Sequence, residues 1–301
     1  MLQRARLFSG SFESAIYLLS SICRVPDNIL VLPAINTNFT HHISAGLVDG
    51  TVITGQNSIS HPSVPTALTS PPTAQSQETE EHDDIEDANL PGSLPTLRKQ
   101  YITFSKTEEE DLPSRIERLW YINPYGQEMR VNANTKVLSA IKEAQCIIYS
   151  IGSLYTSIIP SLILRGVGEA IASPGIKQKI LILNSTLDRE TGPSSNPLSA
   201  TEFISAIARA CAYSRGFTGP VPKEDFSTYV THLIHLVGPG TPRVDREELA
   251  ALGIECVRLY GRSTEGGLLR YDEKALVQAL KMTIGKRDYR GDRSRRNTLE
   301  G

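Results

Sequence analysis

Cysteine is scarce in this sequence. Its four cysteines are far apart and never form a C-x-x-C pair: they are Cys23, Cys146, Cys211 and Cys256. This spacing excludes a disulfide scaffold, a zinc site built on paired cysteines and a thioredoxin-type redox motif. Each cysteine lies within an apolar stretch, so we expect buried free thiols and a reducing, cytoplasmic location.

Long hydrophobic runs and an excess of charge of one sign are also absent. No apolar run approaches the roughly 20 residues that a membrane-spanning helix needs, and no signal-peptide pattern follows the N-terminus. The chain has 31 Lys and Arg against 33 Asp and Glu, a formal net charge of −2. Such a balance creates no field suited to nucleic acid or to an anionic membrane. We therefore expect neither as a partner.

Apolar runs alternate with helical patterns along most of the chain. Residues 11–25 have the spacing of an amphipathic helix, with Ser11 as N-cap, and Ser199 and Glu202 form the capping box of another. Five short apolar runs read as buried strands: Ile29–Leu32, Cys146–Ile151, Lys179–Asn184, Tyr229–Val237 and Ile254–Leu259. Strands alternating with helices predict an α/β fold, a parallel sheet with helices on both faces. The Asp49-Gly50 dipeptide between two extended runs predicts a small β-hairpin.

Residues 61–115 differ in composition from the rest of the chain. Prolines and hydroxyl residues come first, and acidic clusters follow, in a spacing that fits no calcium-binding loop. We predict a disordered acidic and Pro-rich insertion. It divides one α/β domain into an N-terminal part, residues 1–60, and a C-terminal part, residues 116–285; residues 286–301 form a basic tail.

The segment from Cys146 to Pro160 is the strongest functional signal. An apolar strand stops at Gly152, and hydroxyl residues with free backbone N–H groups follow where a helix could begin. A glycine between a strand and a helix N-terminus is a common phosphate-binding arrangement. On spacing alone, an ordinary turn between a strand and a helix is the alternative. The sequence leaves two roles open for Tyr155, stacking on a ligand ring and packing in the core.

Two further loops follow predicted strands, from Pro33 to Thr40, which contains Asn36, and from Asn184 to Gly192. Ligands of open α/β sheets bind at the carboxyl ends of the strands. The asparagine amides can bind a base edge, a sugar or a carboxylate. The sequence also leaves two roles open for Arg189: it could bind a phosphate or carboxylate, or lie exposed in its loop.

The amino-acid sequence of these segments resembles the motifs of a known family. Ser153–Pro160 is similar to the Gly-Pro-Gly-Ser-Leu-Tyr-Thr-Ser-Ile-x-Pro signature of the 2-phospho-L-lactate transferase (CofD) superfamily, which includes the gluconeogenesis-factor (YvcK) branch. Here Ser150 and Ile151 replace the first glycine and the proline of that signature. Other blocks resemble the family in the same order: Val31–Asn36, Gly46–Gln56, Leu181–Asn184 followed by Glu190-Thr191, and Thr264–Asp272. Leu187–Arg189 depart from the family pattern within the third block.

The resemblance implies a three-layer Rossmann-like fold and a nucleotide diphosphate or UDP-sugar ligand. It leaves three functions open: a transferase of phospholactyl groups with Mg²⁺ as cofactor, a non-catalytic UDP-sugar-binding regulator of carbon metabolism, and a degenerate interaction domain. The binding positions that it carries over are Asn36, Gly152, Ser153, Tyr155, Thr156, Ser157, Asn184, Glu190 and Thr191. It marks no catalytic or metal residue, and a homo-oligomer is left open.

One family feature is missing from the sequence. Family members begin with a strand and a glycine-rich loop that bind nucleotide phosphates, and no such motif stands near Met1. We therefore expect an N-terminally shortened chain that lacks part of the phosphate site.

Overall fold

The structure is a computed structural model, and it describes residues 2–37, 39–61, 93–94, 97, 111–264 and 267–285. The predicted insertion at 61–115 lies mostly outside these residues, and the basic tail at 286–301 lies wholly outside them. Both therefore stay predictions.

Helices and strands alternate through the second half of the chain. The α-helices are α1 (Leu2–Ser9), α2 (Phe12–Ile22), α3 (Gln56–Ser60), α4 (Thr135–Glu143), α5 (Ile159–Leu162), α6 (Val167–Ala172), α7 (Ala200–Ser214), α8 (Arg246–Ala251) and α9 (Glu273–Gly285). The strands are β1 (His42–Leu47), β2 (Val52–Thr54), β3 (Ile116–Ile122), β4 (Glu128–Met129), β5 (Cys146–Tyr149), β6 (Gln178–Ile182), β7 (His232–Leu236), β8 (Glu255–Leu259), β9 (Gly261–Ser263) and β10 (Leu269–Tyr271). A π-helix (Leu154–Ile158) precedes α5, and short 3-10 helices cover Arg189–Thr191 and Lys223–Thr228.

The parallel sheet has the order β5-β6-β7-β8, so each strand lies beside the next one in the chain. Successive side chains of β6 point to opposite faces. Ile180 belongs to the apolar cluster that contains Ala279 of α9, whereas Leu181 belongs to the larger cluster that contains Phe203 of α7. Helices therefore cover both faces, and the predicted three-layer α/β fold is confirmed.

A separate antiparallel sheet has the order β2-β1-β3-β4. The predicted hairpin is confirmed: β1 pairs with β2, and Gly50 in the turn has φ +88°, a conformation that glycine adopts without steric cost. One of the two inner strands of this sheet, β3, was not predicted, because the run from Ile116 to Ile122 lacks regular alternation.

The prediction of a strand at Ile29–Leu32 is wrong. The structure assigns no strand there, and Leu30 is 69% exposed. An apolar run forms a strand only where a neighbour accepts and donates its backbone hydrogen bonds. The prediction of a buried strand from Cys146 to Ile151 is also wrong in part. β5 pairs only with β6 within the described residues, and Ile148 on this sheet edge is 42% exposed.

All four cysteines are free thiols, as predicted. Their predicted burial holds only for Cys211 in α7. Cys23 is exposed because it caps the C-terminal end of α2, where the helix meets solvent. Across the described ranges, every helix is too short or too polar to cross a bilayer.

Candidate functional site

The turn after β5 requires a glycine at position 152. A Cβ atom built on Gly152 would lie 2.6 Å from the Cβ of Ser157, which is closer than side-chain atoms approach each other. The chain therefore folds back tightly on itself between the end of β5 and the first turn of the next helix. This close approach places Ser157 against Gly152, three residues after the end of β5.

That next helix opens with π-type hydrogen bonding. The N–H of Ile158 donates to the carbonyl of Ser153 at 3.2 Å, and the N–H of Ile159 donates to the carbonyl of Leu154. Single π-helical turns are rare and are frequently found at functional sites. The segment then continues directly into α5, where Pro160 fits the first turn.

Glu190 closes the start of the π-helix from the neighbouring loop. Its Oε2 accepts hydrogen bonds from the N–H groups of Tyr155 and Thr156, both at 2.9 Å, and its Oε1 accepts from the Thr156 hydroxyl. The side chain is buried, with 2% of its surface exposed. Burial raises the pKa of the Glu190 carboxyl, although the hydrogen bonds from Thr156 and Tyr155 oppose this shift. The expectation of free N–H groups for a phosphate is therefore wrong at these two positions, because an internal carboxylate already binds them.

Asn184 joins the ends of two adjacent strands. Its Nδ2 donates to the carbonyl of Gly152 at 3.3 Å, so the residue after β6 holds the turn after β5. Thr191 has an internal role: its hydroxyl donates to Oδ1 of Asp188 at 2.8 Å and accepts from the Asp188 N–H at 2.9 Å. This capping box fixes the loop that presents Glu190.

Tyr155 packs in the core, which settles the alternative that the sequence left open. The residue is 3% exposed, and its hydroxyl donates to the carbonyl of Ile116 at 2.9 Å. Arg189 is half-buried near Asp111, and the pKa of Asp111 is lowered first by hydrogen bonds from Ser194 and to a smaller degree by Arg189.

Three of the predicted side chains keep their polar groups available. Those of Ser153, Ser157 and Asn36 make no hydrogen bond within the described part of the chain. Asn36 is exposed, two positions after Ala34, and Ala34 lines the same groove of about 480 Å³ as Gly152 and Ser157. The structure thus gathers seven of the predicted residues around one turn, with Thr191 behind them and Asn36 at the approach to the groove.

Comparisons of the sequence and of the structure identify proteins that are similar to this chain. Residues 1–258 match the sequence model of 2-phospho-L-lactate transferase CofD. The chain belongs to the CofD family.

Relatives of this CofD-family chain include a yeast protein and several bacterial proteins. It is 34% identical over 273 residues to the uncharacterized protein YNL011C of Saccharomyces cerevisiae, a match that covers 84% of the chain and 61% of the yeast protein. It is 25% identical to the gluconeogenesis factor of Bacillus subtilis, over 53% of the chain and 51% of that protein. The crystal structure of protein BH3568 from Bacillus halodurans superposes with a TM-score of 0.60 at 20% identity, covering 93% of the chain and 70% of BH3568. At this identity the likeness shows the fold alone.

The residues described do not fit a protein-built Mg²⁺ site. In the described part of this CofD-family chain, no three His, Cys, Asp or Glu side chains lie close enough to hold a metal. The two carboxylates nearest the turn are engaged elsewhere, Glu190 with backbone N–H groups and Asp188 with Thr191.

Asn134 was missed by the sequence reasoning, although it supports the site. Its Nδ2 donates to the carbonyl of Pro33 at 3.1 Å and its N–H donates to the carbonyl of Ala34 at 2.9 Å. These bonds hold the segment that leads to Asn36 against the start of α4. An asparagine before Thr135 is a normal N-cap signal, and the cap is present, but sequence alone does not show that the same side chain also binds a distant loop.

Proposed function

We propose that this CofD-family chain binds a nucleoside diphosphate conjugate in the crevice at the carboxyl ends of β5 and β6. The observation that carries the proposal is the placement of the unpaired Ser153 and Ser157 hydroxyls beside Gly152, where the backbone can be approached closely. Asn184 lies next to them and keeps its amide oxygen available as an acceptor. Crevices of this kind are the usual ligand sites of open α/β sheets.

Each group of the crevice has a distinct role in this proposal. The two serine hydroxyls donate to phosphate oxygens, and the Asn184 oxygen accepts from a hydroxyl or amine of the sugar or base. Glu190 does not contact the phosphates. It holds Tyr155 and Thr156, and so fixes the turn that presents both serines.

Binding is better supported than group transfer. Phosphoryl transfer depends on electrostatic stabilisation of the transferring group, usually by cations. The loops 33–40, 152–157 and 184–192 contain a single cationic residue, Arg189, and an internal carboxylate occupies the N–H groups at the helix start. We therefore favour a ligand-binding regulator. Phospholactyl transfer is the second candidate, favoured by the family match over residues 1–258.

Calorimetric titration of the full chain with GDP, UDP and UDP-glucose tests the binding proposal. At least one should bind, and the double variant Ser153→Ala, Ser157→Ala should bind it about tenfold or more weakly, because two neutral hydrogen bonds are lost. Ser139→Ala is the matched control, since Ser139 is an exposed serine of α4 that does not line the groove. Unchanged affinity in the double variant would place the ligand elsewhere.

Transfer is tested separately from binding. The full chain is incubated with a guanosine-diphospho-lactate donor and an alcohol acceptor, and released guanosine monophosphate is measured. Release that depends on Ser153 and Ser157 would establish the second candidate. Tight binding without release supports the regulator, and failure of all ligands to bind favours an interaction domain.

A further inference from the structure

A second cavity lies on the other side of Tyr155, away from the crevice. It has a volume of about 530 Å³, which is within the range of small-molecule sites. Its walls come from the antiparallel sheet, from α5 and from α7, and residues 217–220 form its rim. Most of the lining is apolar: Leu119, Tyr155, Ile159, Ile163, Ala206 and Ala210.

Arg209 supplies an uncompensated positive charge in this cavity. It lies on α7 and its Nε is buried without a hydrogen-bond partner. Its guanidinium reaches the Tyr155 hydroxyl, but no carboxylate pairs with it within the described ranges. Arg118, the other lining cation, differs because it pairs with Glu128 at 2.6 Å.

An anion is the group that Arg209 lacks. A half-buried guanidinium without an anionic partner has lost part of its hydration, and a carboxylate restores the loss through charge-assisted hydrogen bonds. Glu117 also lines the cavity, but it is exposed at the mouth and forms no ion pair with Arg209. The site therefore combines one inner cation with an apolar chamber.

We propose that this cavity binds an anionic amphiphile, a molecule with one carboxylate and an apolar chain. The carboxylate pairs with Arg209, and the chain lies between α5, α7 and β3. The site is independent of the crevice proposed above: the two share only Tyr155, whose ring lines the cavity and whose N–H donates to Glu190.

Decanoate is the probe, and decanol is its neutral match, each titrated below its critical micelle concentration into the full chain. Decanoate should bind at least about tenfold more tightly than decanol, the gain expected from a charge-assisted bond. Decylamine carries the opposite charge and should bind least. Equal affinities, or a preference for decylamine, would overturn the proposal. This comparison needs no variant.

Variants then locate the site. Arg209→Met should lower decanoate affinity about tenfold and leave decanol affinity within about twofold. Arg130→Met is the matched control, because Arg130 stacks on Tyr213 near the mouth but does not line the cavity. Ala206→Leu should weaken both ligands by filling the chamber. Decanoate affinity that survives either Arg209→Met or Ala206→Leu would refute the assignment.

Discussion

Replacing Glu190 by alanine should destabilise the protein through the groups that it leaves behind. The change removes the acceptor of two N–H groups, those of Tyr155 and Thr156, in a buried position. Each unsatisfied buried N–H costs about 1–3 kcal/mol, and relief of the carboxylate's own burial offsets part of this cost. We therefore expect the free energy of unfolding to fall by about 2–4 kcal/mol, measured by chemical denaturation.

Glu190→Gln separates the hydrogen bonds from the charge. Glutamine keeps an acceptor for the two N–H groups, and the Thr156 hydroxyl can accept from the new amide, so we expect a loss below about 1 kcal/mol. Glu169→Ala is the exposed control. Its side chain is 71% exposed and pairs with Arg215, which predicts a change of about 0–1 kcal/mol.

The wild type and Glu190→Gln should also differ in how their stability depends on pH. Because the pKa of Glu190 is raised above 4.5, the folded protein binds its proton more tightly than the unfolded chain does. That stabilisation is full below the unfolded pKa and is lost as pH rises through the folded pKa. The wild type should therefore lose stability relative to Glu190→Gln as the pH rises above 4.5. A difference that stays constant with pH, or a Glu190→Ala variant as stable as the wild type, would refute this reasoning.

Three further outcomes follow from close contacts and burial. Gly168→Ala should cost more than about 3 kcal/mol, because its Cβ would lie 2.0 Å from a backbone oxygen of α7, whereas Gly175→Ala, with only a 3.7 Å contact, should fold normally in thermal melts. Gly152→Ala should cost about 1–3 kcal/mol and weaken binding of the proposed crevice ligand by displacing Ser157. Burial lowers the pKa of His235, so the unfolded chain binds its proton more readily and stability should fall as pH drops below about 6.5; His235→Gln should reduce this acid-side loss in denaturation titrations.

Local patterns predicted most of the elements of the parallel sheet. The apolar runs before Asn184 and after Ile254 lie where β6 and β8 are found, and the Ser199–Glu202 capping box begins α7. These signals are visible in sequence because each depends on residues within one turn or one strand. The run at Ile29–Leu32 is at least as apolar as the runs that form β6 and β8, but it forms no strand. Composition does not reveal whether a pairing neighbour is present.

The candidate site was predictable in its members but not in its hydrogen bonding. Tyr155 and Glu190 are 35 residues apart in the sequence, and the structure brings their two segments into contact. That Glu190 would occupy the helix N–H groups depends on how two loops dock, which no local pattern encodes. Arg209 was missed for the same reason: a single arginine in an alanine-rich helix carries no signal until the opposing wall is known.

The carboxylate at the start of the π-helix has a consequence for how the crevice would respond to ionic strength. The Glu190 carboxylate already neutralises the partial positive charge of the N–H groups of Tyr155 and Thr156. An incoming diphosphate would meet mainly neutral donors at short range, and Arg189 would be the single cation of these loops whose attraction dissolved ions could weaken. Its affinity should therefore differ little between about 0.05 M and about 0.5 M salt, a range in which purely Coulombic binding is strongly attenuated.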